Sequence, residues 1–179
     1  MPHYLMPDGE KLYIREFGQG TPVLVLSGLG MQSWQWLPFL YQHRKKYRFY
    51  IPDWRGFGGS AQCKIPTLDA ISSHWQDLNC FLNQYADTAF HVIAYSMGAT
   101  TAMHGIQYGH FKDHIRSYLH IDQTPASQEC KSGTFYGVDI KKATIANFAS
   151  LSQIKPVQVC LVQILEHRVF RHLALNNVA

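Results

Sequence analysis

Four cysteines in 179 residues, none of them in a CxxC pair, leave this chain without the framework of a disulfide scaffold or a cysteine zinc site. Cys63, Cys80, Cys130 and Cys160 read as reduced thiols, which sets a cytoplasmic location as the expectation. Long apolar runs are missing too. The best candidate, "VQVCLVQIL" near the carboxyl end, is less than half of the roughly 20 residues needed to span a bilayer, so no membrane partner is expected. The amino terminus "MPHYLMPDGEKLY" has no basic region followed by an apolar core, and no signal peptide is read from it. Charge is sparse, at 16% of residues with a formal net charge of +4. The one basic cluster, "HRKKYR" at residues 43–48, reads as a solvated loop or helix end rather than a phosphate contact, and no nucleic-acid partner is expected. The glycines of "GFGG" come with neither the Walker lysine nor the Rossmann spacing, which argues against nucleotide binding. His110 and His114 have the i, i+4 spacing of a metal pair, but no third ligand stands in an obvious place. Neither a metal nor a cofactor is implied.

What is present is an ordinary globular composition, 46% hydrophobic, in a length that suits one domain with a substantial core. "HYLM", the turn signal Pro7-Asp8-Gly9 and "KLYIREF" predict an opening hairpin. "PVLVLSG" from Pro22 is a nearly unbroken apolar run, the composition of a strand buried on both faces. "SWQWLPFLYQ" predicts a short helix begun by Ser33, and "YRFYIPD" predicts a strand ending in the loop "WRGFGGS". Leu68 to Tyr85 carries Leu68, Ile71, Trp75, Leu78, Phe81 and Leu82 near one face at helical spacing. "AFHVIAY" reads as a further strand, Met97 to Tyr108 as a helix and "IRSYLHID" as another strand. Strands alternating with helices predict a mostly parallel α/β sheet with flanking helices. After Asp122 the alternation ends, and the remainder reads as a cap-like or irregular segment.

Groups at the carboxyl ends of such strands face the ligand crevice. There the strand ending at Tyr95 runs straight into Ser96, between the small residues Ala94 and Gly98. This spacing suits a tight strand-to-helix turn that projects a nucleophilic hydroxyl, the plain alternative being a serine that caps a helix. The same turn places the Met97 N–H at a helix start, where unpaired donors and the helix dipole favour a developing oxyanion. A second donor is expected from the Leu29 N–H of "SGLG". Asp53 and Arg55 read as braces of their loop through charge-assisted hydrogen bonds, Trp34 and Trp36 as packing residues with the alternative that one of them lines the pocket, and His91 and His120 as hydrogen-bonded packing histidines.

Three motifs together, "SGLG" at 27–30, "DWRGFGGS" at 53–60 and "AYSMG" at 94–98, resemble in order and spacing the α/β-hydrolase superfamily, particularly its simple esterases and cofactor-free haloperoxidases. "HIDQTP" at 120–125 is similar to the strand end that precedes the cap region of such enzymes. The resemblance covers roughly the first 125 residues, with Ser27 where histidine is usual and Ala94 in place of the first glycine of G-x-S-x-G. It implies a domain whose residues 1–122 form the amino-terminal part of the core and whose residues 123–179 form the cap-like segment. It further implies a serine hydrolase acting on a small-molecule ester or related acyl carbonyl through an acyl-enzyme on Ser96. Because the elbow carries serine, the carboxylate-nucleophile chemistries of dehalogenases and epoxide hydrolases are disfavoured.

In chain order the family sets the nucleophile first, then an acid, then a histidine base. Beyond Ser96 the acids are Asp113, Asp122, Glu129, Asp139 and Glu166; the histidines are His104, His110, His114, His120, His167 and His172. Glu166 stands out because "LSQIKPVQVCLVQILEH" resembles the approach to the acid's strand, and Asp122 by analogy with members whose acid follows the sixth strand. No histidine takes the place of the base, and nothing after position 172 reads as a further strand, loop and histidine. The chain therefore reads as truncated at the carboxyl end, or its tail as frame-shifted, with a sheet incomplete at that edge. The alternative function is a catalytically inactive remnant that binds a small molecule.

Overall fold

The computed structural model describes residues 3–66, 69–121 and 159–162, the last four by their backbone alone. One seven-stranded sheet carries the described residues, in the order β1-β2-β4-β3-β5-β6-β7. β1 (His3–Leu5) and β2 (Lys11–Gly18) form the predicted hairpin, in which Leu5 faces Lys11 and the Gly9 N–H donates to the Met6 carbonyl at 2.9 Å. β2 continues antiparallel onto β4 (Tyr47–Pro52). From there the sheet is parallel: β4 with β3 (Thr21–Leu26), β3 with β5 (Phe90–Tyr95), β5 with β6 (Ile115–Ile121) and β6 with β7 (Val159–Val162). The mostly parallel sheet expected from the alternation is thus observed.

Side-chain alternation on β3 explains its unbroken apolar run. Leu24 and Leu26 point to one face, into a cluster with Leu78, Phe81, Leu82, Val92 and Ala102. Val23 and Val25 point to the other, against Leu40, Phe49 and Ile51. A strand covered on both faces has no use for polar residues at alternate positions. Helices α2 (Ala70–Asn83) and α3 (Met97–Tyr108) cover the first face, and the short helical stretch at 33–43, with α1 (Leu37–Leu40) at its centre, lies on the second.

Two boundaries differ from the expectations. α2 begins after Asp69, whose carboxylate accepts the Ser72 N–H at 2.9 Å; an aspartate cap sets the start more firmly than the apolar period does. The 33–43 stretch breaks into a 3-10 turn (Ser33–Trp36), α1 and another 3-10 turn (Tyr41–His43). Ser33 does not cap it. That hydroxyl accepts the Arg15 Nε–H at 3.0 Å, and the Ser33 N–H is taken by Asp53. Among the described residues no helix is long and apolar enough to cross a membrane.

The direction of chain travel reverses at β3. The next strand in sequence, β4, lies on one side of β3, and α2 then carries the chain over to β5 on the other. Loops leaving the carboxyl ends of β3 and β5 therefore diverge around a crevice, the usual place for a ligand in an open α/β sheet.

Candidate active site

Ser96 follows β5 directly and has φ 50° and ψ −120°, the one positive φ of a non-glycine among the described residues. A backbone in that region costs about 1–3 kcal/mol unless its surroundings enforce it. They do. The Ser96 N–H donates to the Ile121 carbonyl at 3.0 Å, and its own carbonyl accepts the N–H groups of Ala99 at 2.8 Å and Thr100 at 3.1 Å, which starts α3. Gly98 lies against β3 so closely that a Cβ there would stand 2.4 Å from the Leu26 carbonyl oxygen. One residue of that turn must be glycine for packing; Ala94, wholly buried between Leu26 and His120 in the sheet, shows that the other end accepts a methyl. The Ser96 side chain makes no capping bond to α3 and is half-buried, so the helix-cap reading of this serine is not what the structure contains.

The loop after β3 comes to the same place. A Cβ on Gly28 would lie 2.9 Å from the Tyr95 ring and 3.2 Å from the Ser96 Cβ, so the glycine lets the loop pack directly on the side chains of these two residues. Gly28 to Met31 close a turn in which the Met31 N–H donates to the Gly28 carbonyl at 3.2 Å and Gly30 has φ 75°, as the third residue of a type II turn requires. That turn's own bond does not use the Leu29 N–H, and Met97, at the first position of α3, has no intrahelical acceptor for its N–H. The Leu29 side chain is exposed.

The loop after β4 is bound by charge. The Asp53 carboxylate accepts the Ser33 N–H with one oxygen and the Gly59 N–H at 2.8 Å with the other. Arg55 forks onto Asp77 of α2 through two bonds of 2.7 Å, and its remaining nitrogen bonds Asp8 and the Lys64 carbonyl. Hydrogen bonding to the Asp77 carboxylate is the main reason Arg55 holds its proton more tightly than a free guanidinium. Burial raises the Asp77 carboxyl, and Arg55 pulls it back. Both residues brace the loop, as sequence reasoning expects of Arg55.

Two participants escaped that reasoning. His74 is buried on α2, stacked on Trp54 at 4.5 Å, with its Nδ1 lacking a hydrogen-bond partner among the described residues. Burial, with the Arg55 charge adding to it, lowers its pKa to about 4. A signal existed: His74, Asp77, Leu78 and Phe81 fall at i, i+3, i+4 and i+7, so two polar residues share the packing face.

Other described histidines bond or pack on neighbouring groups. His120 is buried and bonded through Nδ1 to the Tyr118 hydroxyl at 3.1 Å, and His91 Nδ1 lies 2.6 Å from the Ser117 hydroxyl. His114 faces the Thr88 carbonyl, whereas His110 is exposed beside Asp113, so the two do not converge on one point. His104 packs on Tyr108. Asp122, Glu166, His167 and His172 lie outside the described residues, as do Glu129 and Asp139. β7 nevertheless adds to β6 in parallel, with Ile121 opposite Val162, four positions before Glu166.

A family profile for the alpha/beta hydrolase fold matches residues 21–137. The chain belongs to that family. Solved α/β-hydrolase structures agree in fold. An esterase from Exiguobacterium antarcticum superimposes with a TM-score of 0.57 at 22% identity over 66% of this chain and 44% of its own. An alpha/beta hydrolase from Novosphingobium aromaticivorans gives 0.58 at 25% identity, over 66% and 42%. An epoxide hydrolase from Vigna radiata gives 0.55 at 20% identity, over 66% and 36%. The chain thus spans less than half the length of these hydrolases. No match is found among curated proteins.

Proposed function

We propose that this α/β hydrolase cleaves a small-molecule ester or related acyl carbonyl through an acyl-enzyme on Ser96. The supporting observation is the elbow itself: a serine held at φ 50° whose side chain leaves the helix uncapped. Strain of this kind persists where the surroundings impose it, and here they leave the oxygen unspent at the crevice. In the reaction the Ser96 oxygen bonds to the acyl carbon and passes its proton to a base; the carbonyl oxygen takes up charge between the Leu29 and Met97 N–H groups. The alcohol then departs with a proton, and water releases the acid. Serine rather than a carboxylate at this position separates the chain from the halide- and epoxide-opening chemistries that share the fold. Glu166, just beyond β7, and Asp122, just beyond β6, are the acids that chain order offers to orient a base.

A second reading, a binder without turnover, is favoured by the histidines. Among the described residues His74, His91, His104, His110 and His114 contact groups other than Ser96. Fluorophosphonate labelling and a short-chain nitrophenyl ester distinguish the two. The hydrolase reading predicts one label per chain, absent in Ser96→Ala, and turnover that falls at least about 10³-fold in that variant. Labelling without turnover selects a nucleophile lacking its base. Equal rates for Ser96→Ala and the unaltered chain, with no label in either, reject the enzyme.

A further inference from the structure

The first residue of the loop after β3 is held from two sides. Ser27 is fully buried. Its hydroxyl accepts the Trp36 Nε1–H at 3.0 Å and its carbonyl accepts the Trp54 Nε1–H at 2.9 Å. An indole can only donate, so each bond has one possible sense. The two indoles come from different segments, Trp36 from the helical stretch and Trp54 from the loop after β4, and Asp53 ties those segments together through the Ser33 N–H. Trp36 also meets Tyr95 edge to face, with ring centroids 6.4 Å apart, and Tyr95 is the residue before Ser96. Trp54 has no exposed surface and is backed by the stacked His74.

The geometry points to Trp36 and Trp54 as positioning residues: they clamp both oxygens of Ser27 and so fix the Gly28–Leu29 turn against the Ser96 elbow. This rests on the reading of Ser96 as nucleophile and of the Leu29 N–H as an oxyanion donor. Trp54 is fully buried and reaches the loop through Ser27. The effect of the two indoles is on where the Leu29 N–H stands, and a donor displaced by about an ångström loses much of its worth in the transition state. Ser27 is then the natural partner of Trp36, because only a side chain ending in an acceptor can take the indole hydrogen at that distance.

The test uses the full chain and three variants, Trp36→Phe, Ser27→Ala and their combination, with Trp34→Phe as the control. Trp34 is exposed and bonds the Gln32 side chain instead. Phenylalanine keeps an aromatic ring at this position and removes the donor, and Ser27→Ala removes the same bond with the indole in place. Expected in Trp36→Phe are faster amide exchange at Gly28 and Leu29, unchanged exchange in α2, and a fluorophosphonate labelling rate about 10–100-fold lower with the reagent's apparent affinity retained. Ser27→Ala gives the same losses and the combined variant gives no more, because both substitutions remove one bond. Trp34→Phe leaves both readouts as they are. Unchanged loop exchange in Trp36→Phe, or losses that simply add in the combined variant, overturns the clamp. An unaltered chain that takes no label at Ser96 overturns the nucleophile reading instead, and the exchange measurement still decides whether the indoles hold the loop.

Discussion

The loops that follow β4 and β5 leave the same end of the sheet and both need backbone with positive φ, yet they are built on opposite principles. After β4, glycines at 56 and 58 supply the unusual angles, and each charged group is paired: Asp53 by two amides, Arg55 by two carboxylates and a carbonyl. After β5, a serine supplies the angle, and what holds it is close packing of Gly98 on Leu26 together with a few backbone bonds. One loop converts polarity into rigidity; the other keeps a polar atom unspent. Preorganised sites need both, a supporting shell without slack and a reacting group without competing partners.

The largest test of this division is Arg55→Ala. It leaves Asp77 and its buried carboxylate without a countercharge, and removing one partner of a buried pair costs about 3–5 kcal/mol. Urea denaturation should show that loss. The paired change Arg55→Met with Asp77→Leu should recover most of it, since apolar groups of similar size replace a buried pair at little cost. A loss confined to a few tenths of a kcal/mol would place the loop's rigidity elsewhere, in the glycines or in Asp53.

His74 gives a smaller and pH-dependent effect. Its pKa is lowered to about 4 in the folded chain, first by burial and then by the Arg55 charge, from the ordinary histidine value of about 6.5. An unfolded chain therefore binds the proton at a higher pH than the folded one does. The contribution to stability is complete above about 6.5 and is lost as pH falls toward about 4, in total roughly 3 kcal/mol. His74→Phe keeps a ring on Trp54 and removes the titration. The histidine chain should lose stability relative to His74→Phe as pH drops through that window; a constant offset from pH 7 to pH 4 would mean that the histidine titrates alike in the folded and unfolded chains.

How much of this was legible depends on what each residue answers to. β3 and the elbow are local statements: an apolar run for two covered faces, small residues flanking a serine, and both appear as read. The Ser27 clamp is not local. Ser27, Trp36 and Trp54 stand 9 and 27 positions apart, and nothing in the spacing says that two indoles share one residue. The substitution of serine for the usual histidine at 27 was visible; that its hydroxyl would take an indole hydrogen was not. Asp77 was hidden by reading α2 for its apolar positions alone, although a buried arginine in "DWRGFGGS" demands a carboxylate from some other segment. The base was not legible because no histidine after Ser96 follows a readable strand, and the part of the chain beyond Asp122 is the least periodic.

The smallest effect has the opposite sign to the others and bears most directly on the elbow. Ser96→Gly removes the Cβ that makes φ 50° costly, and should relieve part of the roughly 1–3 kcal/mol held there. Against this, glycine gains freedom in the unfolded chain worth about 0.4–1 kcal/mol. The net is a stabilisation of about 1 kcal/mol or less, read as a slightly raised denaturation midpoint, together with complete loss of labelling. Ser96→Ala keeps the Cβ and hence the strain, so it should lose the label without gaining stability. The two variants differ only in whether backbone strain is released, and that difference separates an angle imposed by the fold for the sake of the hydroxyl from one that the chain adopts at no cost. A glycine variant no more stable than the alanine one would show the elbow to be unstrained, and would withdraw the main physical reason for reading this serine as poised.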